Sequence, residues 1–263
     1  MGALITSLTA ALLVASPQPI KEAVQDLVDC KNLRHQRCLA AATALKNSGP
    51  RALKPVLRAF PKMKPRAGQL LAIGLFSEHK GKRGTMALLW IVKDQRVSAP
   101  VRALAIDSLS ERVTKRVTRG LLKLAQGRAA MIRAAAIRAL GNRLHRHRGR
   151  LKKRVVRALL KGTEDKGPTV RLEAVMGLGL AKAVYAAAAI RVRLRDTEIK
   201  VRRAAADAFR SIKYASAVKD LITCLNDDDG RLRQLSGQAL VFQTGKKQFG
   251  ERYELWREWY RNR

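Results

Sequence analysis

Asp196-Thr197-Glu198-Ile199-Lys200-Val201-Arg202-Arg203-Ala204-Ala205 is the stretch that decides the fold. An acidic turn leads into an aliphatic residue and an arginine. Small residues then stand four and seven places on, at Ala205 and Ala208, ahead of a large apolar one, Phe209. Offsets of 0, 4, 7 and 8 share one face of a helix. Small side chains on that face let a neighbouring helix approach closely.

The pattern opens again at Val101-Arg102, Ile132-Arg133, Val170-Arg171 and Leu232-Arg233, with starts 31, 38, 31 and 31 residues apart along the chain. Fainter copies stand near Arg37, with Ala41, Ala44 and Leu45, and near Ala67, with Leu71 and Leu75. An apolar helical stretch precedes each clear copy, over 85–92, 117–125, 152–160, 184–194 and 217–225. Turn-formers separate the two members: Val97-Ser98-Ala99-Pro100, Gly127, 162–168 and 226–230. Helix, turn and helix at a fixed period mark an α-solenoid, because one hairpin cannot bury its apolar face and a stack can. The expected fold is all-α, a right-handed α-solenoid of about seven helical-hairpin repeats with no sheet. The expected divisions are an apolar start at 1–16, a repeat array at 17–243 and a closing segment at 244–263.

The Val-Arg-x-x-Ala-x-x-Ala-Leu helix after an acidic turn resembles the HEAT repeat, in the short bacterial form related to the repeats of phycobilisome lyases. The resemblance covers roughly 20–245. Thr244-Gly245, Phe249-Gly250, Tyr253, Trp256 and Trp259 look like the closing segment of many bacterial HEAT proteins. The resemblance implies a scaffold, with the two tryptophans covering the apolar end of the last repeat.

Charge narrows the partner. The chain holds 54 Lys and Arg against 20 Asp and Glu, a net charge of +34. Its 47% hydrophobic content still suffices for a core, so this is not the charge of a disordered chain. Such a surface repels its own copies, which favours a monomer, and attracts anions. An anionic protein or envelope polymer is the expected partner, nucleic acid the alternative. Basicity as a compositional habit stays open beside both. The charge is uneven: 112–163 has no Asp or Glu and carries seventeen basic residues, half the net charge. The long 38-residue spacing also falls there, and its extra residues fit 142–150. Insertions in repeat arrays emerge as loops on one face, often the binding face. Arg143, Arg146, Arg148, Arg150, Lys152, Lys153 and Arg154 are therefore the candidate anion contacts, with Arg133 and Arg138 on the neighbouring helix. Acidic turns precede most of the repeat arginines, so an arginine–carboxylate ladder is expected, with Arg133 as its exception. His145 and His147 read as bystanders that add charge below neutral pH.

The first sixteen residues carry no charged side chain, and Pro17 and Pro19 follow. This reads as a signal peptide or an apolar first helix, and it is too short for a membrane span. The first reading implies export to a periplasm or outside the cell, the second a cytoplasmic protein. Cys30 and Cys38 flank a turn and would pair in an exported chain; two half-buried thiols are the default reading, and the pairing stays open. No nucleophile elbow, P-loop or zinc motif is present. No catalytic residue, metal or cofactor is expected, so the chain reads as no enzyme. The enzymatic alternatives are a bilin lyase, resting on the repeat alone, and a glycosylase for alkylated bases. For the latter the repeat helices offer Asp107 and Asp207 but no Trp or Tyr beside them.

Overall fold

The computed structural model describes residues 18–63, 66–112 and 114–263. The apolar start, read above as a signal peptide or first helix, lies outside the described residues. The chain divides into two compact units, Met1–Val97 and Ser98–Arg263. The boundary falls between the helix expected at 85–92 and the motif at Val101, which the sequence reads as one hairpin. No strand occurs among the described residues.

The first unit holds α1 (Ile20–Val28), α2 (Gln36–Asn47), α3 (Pro50–Ala59), α4 (Arg66–Glu78) and α5 (Lys82–Lys93). Helices α2 and α4, which carry the two fainter copies, pack on each other; α1 packs on α3 and α3 on α5. Ala41 and Leu45 are buried as the faint pattern requires. Cys30 and Cys38 are disulfide-bonded across the α1–α2 turn, with Cα atoms 5.6 Å apart. The default reading of two thiols is thus corrected: the short turn brings the two Cα atoms into bonding range.

The second unit begins with α6 (Ala99–Ser110), α7 (Lys115–Leu124), α8 (Ala130–Gly141), α9 (Gly149–Gly162) and α10 (Pro168–Leu180). It continues with α11 (Ala187–Val192), α12 (Ile199–Ala208), α13 (Val218–Cys224), α14 (Gly230–Thr244) and α15 (Tyr253–Arg261). The motif helices form one layer in which α6 packs on α8, α8 on α10, α10 on α12 and α12 on α14. Each partner helix lies against its own motif helix, and α7 also touches α9.

The 0, 4, 7, 8 face is the core. Ile132, Ala136, Ala139 and Leu140 are buried on α8, and Val201, Ala205, Ala208 and Phe209 on α12 and its cap. Val170, Ala174, Gly177 and Leu178 are their equivalents on α10, and Leu232, Ser236, Ala239 and Leu240 on α14. The small residue at the seventh place sets the closest approach. A Cβ at Gly177 would sit 2.8 Å from the Gly141 Cα, and a Cβ at Gly141 would sit 2.8 Å from the Gly177 Cα. The α8–α10 crossing therefore admits glycine alone on both sides.

Two elements differ from the pattern. The helix expected at 184–194 is reduced to α11 between two 3-10 turns, Val184–Ala186 and Arg193–Arg195. Lys182, at φ 47°, turns the chain out of α10 just before it. Helix α9 starts at Gly149, ahead of the expected 152, so Arg150 joins Lys152, Lys153 and Arg154 on the helix and leaves the expected insertion. At the end of the chain α15 packs on α13. Its Trp256 is fully buried, and the indole N–H donates to the Gly250 carbonyl at 2.9 Å.

Candidate functional site

The recurring arginine builds a ladder along the turns of the second unit. Arg133 Nη1 donates to the carbonyls of Gly127 and Arg128, six and five residues back. Arg171 does the same to Asp165 and Lys166, Arg202 to Asp196 and Thr197, and Arg233 to Asp227 and Asp228. In Arg133, Arg171 and Arg202 the other edge of the guanidinium reaches forward to the next turn. Arg133 makes a bidentate pair with Asp165 at 2.8 and 2.7 Å, and Arg171 one with Asp196 at 2.8 and 2.7 Å. Arg202 meets Asp227 at 3.0 Å. All four arginines thus tie off their own turns, and Arg133, Arg171 and Arg202 also lock theirs to the following one.

This geometry corrects the expected exception. Arg133 has its carboxylate, one repeat later. Arg102 and Arg233 make no ion pair among the described residues; the turn after Arg102, Gln126-Gly127-Arg128, carries no acid. The turn carboxylates feel these arginines and their neighbours. Burial pushes Asp196 up, but the Arg171 hydrogen bonds, the Glu198 N–H and the charges of Arg171 and Arg193 outweigh it, so the group titrates below the usual range. Asp229 is held at about 2, first by Arg203 and then by the Leu232 N–H that it also caps.

Three of the nine candidate anion contacts belong to such structural pairs. Arg133 is held by Asp165. Arg138 bridges three motif helices, meeting Asp107 of α6 and Glu173 of α10 at 2.8 Å each. Arg143 pairs with Glu111. These guanidiniums are spoken for, and the sequence missed it because their acids lie about one repeat away along the chain. The glycosylase alternative loses its acids in the same way: Asp107 is on Arg138, and Asp207 is on Arg210.

The other six, Arg146, Arg148, Arg150, Lys152, Lys153 and Arg154, are exposed and make no ion pair among the described residues. Arg148 donates to the carbonyls of His145 and His147, which ties down the segment ahead of α9. Leu144 is buried beneath it, at the start of a 3-10 turn. His147 does not add the charge expected of it. It is 3% exposed, and both ring nitrogens lack a hydrogen-bond partner. Burial, and then the neighbouring His145 charge, lower its pKa, so it stays neutral where an ordinary histidine begins to charge.

The structure adds α7 to this surface. Val117, Thr118, Leu121 and Leu122 face the core, and the Thr114 hydroxyl accepts the Val117 N–H to start the helix. Lys115, Arg116, Arg119 and Lys123 are exposed on its other side. Helix α9 repeats this, burying Val155, Leu159 and Gly162 and exposing Arg150, Lys152, Lys153, Arg154, Arg157 and Lys161. The two helices touch. Spacings of three and four along α7 were legible as a one-sided cationic helix, but its contact with α9 was not. On α11 and its flanking turns the cations are neutralised: Arg191 and Arg195 reach Asp220, and Arg193 reaches Asp196.

Other chemistry is sparse. Among the described residues no group of three His, Cys, Asp or Glu side chains could hold a metal, and no helix is long and apolar enough to cross a membrane. Cys224 is buried, and burial pushes its thiol up to about 11.

Residues 156–241 match the family model for HEAT repeats. No curated protein matches the chain. Among solved structures, a designed armadillo repeat protein is 16% identical, with 86% of this chain and 100% of that one covered at a TM-score of 0.50. Cex1p is 14% identical, with 91% of this chain and 54% of that one covered at a TM-score of 0.52. The complex of CpcE and CpcF of phycocyanin lyase from Nostoc is also similar, at 18% identity and a TM-score of 0.42, with 85% of this chain and 77% of that one covered. Residues 156–241 thus carry HEAT repeats spanning the motif helices α10, α12 and α14, within an array that is helical throughout its described residues.

Proposed function

We propose that this protein is a non-catalytic HEAT-repeat scaffold that holds an anionic partner, an acidic protein or an envelope polymer, on the basic surface formed around α9. One observation carries the reading. In the rest of the second unit most repeat and turn arginines are matched by carboxylates, whereas the exposed cations from Arg146 to Arg154 have none. The acids that a repeat-based enzyme would need are engaged by arginines, which supports a binding role over catalysis. The Cys30–Cys38 bond supports export, since disulfides persist in oxidising compartments. Trp256, buried where α15 meets α13, supports α15 as the cover of a monomeric array.

The test is a pull-down from native extract. Wild type is compared with a variant carrying Glu at Arg146, Arg148, Lys152, Lys153 and Arg154. Loss of an anionic partner in the variant is expected. Equal recovery from both would reject the surface. A captured nucleic acid would replace the partner class with the alternative.

A further inference from the structure

Ten cations on two touching helices, with no acid between 112 and 163, form more than an excess of charge. Helix α7 has 10 residues and α9 has 14, so at 1.5 Å per residue they run about 15 and 21 Å. Packed helices lie roughly 8–10 Å apart. Lys115, Arg119 and Lys123 mark one row, and Arg150, Arg154, Arg157 and Lys161 the next, with successive charges about 4.5–6 Å apart along each row.

Their placement works against the free protein. A helix N-terminus carries partial positive charge, and acids there stabilise. Helix α7 instead begins Lys115-Arg116, and α9 has Arg150, Lys152 and Lys153 in its first turns; neither has an acid in its first turn. An anion lying across both starts would relieve that repulsion.

What the face lacks selects the ligand. None of the exposed large hydrophobic residues lies on α7 or α9. Residues 112–163 include no Phe, Tyr or Trp. A folded protein partner needs buried apolar or aromatic anchors, and single-stranded nucleic acid needs rings on which bases stack. A chain of repeated phosphates needs neither, and five of the ten cations are arginines, whose forks fit phosphate oxygens. On the export reading, which the disulfide in the first unit supports, envelope polymers are met more readily than genomic duplex.

We propose that the α7–α9 face binds a flexible linear phosphate polymer, gripped by charge alone, with Lys115, Arg116, Arg119 and Lys123 as contacts beyond the α9 set. This rests on the anion-binding reading above and extends it to α7. The probe is inorganic polyphosphate, titrated into the full chain at several salt concentrations. Two variants place Glu, or Gln, at Lys115, Arg116 and Arg119, which are exposed and leave the core intact. Wild type is expected to bind with a steep log–log salt dependence. Each variant is expected to flatten that slope by about 2, at roughly 0.7 per lost single-chain phosphate contact. The Glu variant should also unfold at or above the wild-type temperature, because it corrects the start of α7.

An unchanged slope in both variants overturns the proposal. If the α9 variant of the pull-down loses binding in that case, the broader anion-binding reading survives without α7. If neither set matters, both readings fall. Tighter binding at equal salt of duplex DNA, of anionic-lipid vesicles or of an acidic protein would also overturn the phosphate-polymer assignment.

Discussion

Replacing Arg171 by Met tests the ladder at its most buried rung. The Arg171 side chain is 12% exposed and that of Asp196 is 2% exposed. The substitution keeps the aliphatic stem and removes two hydrogen bonds to the carboxylate and two to the carbonyls of Asp165 and Lys166. Breaking a buried pair costs about 3–5 kcal/mol when the remaining charge is left alone. Asp196 keeps Arg193 at 3.3 Å and the Glu198 N–H at 3.0 Å, so a loss of about 2–3 kcal/mol is expected. Urea unfolding at pH 7 reads it. Asp196 has a depressed pKa in the folded protein, so its contribution is present above the unfolded carboxylate value and lost as pH falls through the folded one. The wild-type advantage should therefore shrink below about pH 4. Arg233→Met is the control. Arg233 makes the same two carbonyl bonds but no ion pair among the described residues, so about 1 kcal/mol is expected. Equal losses for both variants, or a loss under about 0.5 kcal/mol at Arg171, would refute the argument that the forward carboxylate carries the rung.

Three further perturbations follow. Gly177→Ala should gain up to about 1 kcal/mol in helix propensity yet destabilise overall by about 1–2 kcal/mol, because its Cβ meets the Gly141 backbone at 2.8 Å; a Tm at or above wild type would contradict that crossing. Cys30→Ser should destabilise the first unit by about 2–3 kcal/mol through the eight-residue loop it opens, read by hydrogen exchange in α1 and α2, and unchanged protection there would contradict it. His147 has a folded pKa below its unfolded one, so the unfolded chain binds the extra proton and stability should fall as pH drops below about 6.5; His147→Gln should remove that dependence, and an identical pH profile would count against the buried neutral ring.

The helical face was legible in the sequence because Val101, Ile132, Val170, Val201 and Leu232 each begin the same spacing of small and large apolar residues. Every one of them is buried. The ladder was half legible. Arginine and turn acids repeat together, but the rung joins an arginine to the acid of the next repeat, so Arg133 was misread and Arg102 was overlooked. Tertiary contact also decided the start of α9. Gly149, at φ 52°, turns the chain into α9 three residues ahead of the helix that the sequence marks at 152. Lys182 breaks the chain in a backbone conformation that its side chain does not advertise. On the candidate surface, sequence located the acid-free run from Arg112 to Lys161 but singled out contacts only from Arg133 to Arg154, leaving out the cations of α7.

Lysine-acetylation footprinting with and without inorganic polyphosphate tests the central claim most directly. Protection concentrated on Lys115, Lys123, Lys152, Lys153 and Lys161 is the predicted result, with exposed Lys54, Lys213 and Lys219 still reacting as in the unbound protein. Uniform protection across all eight, or protection only at Lys54, Lys213 and Lys219, would show that the basic charge is spread over the surface and that α7 and α9 form no site.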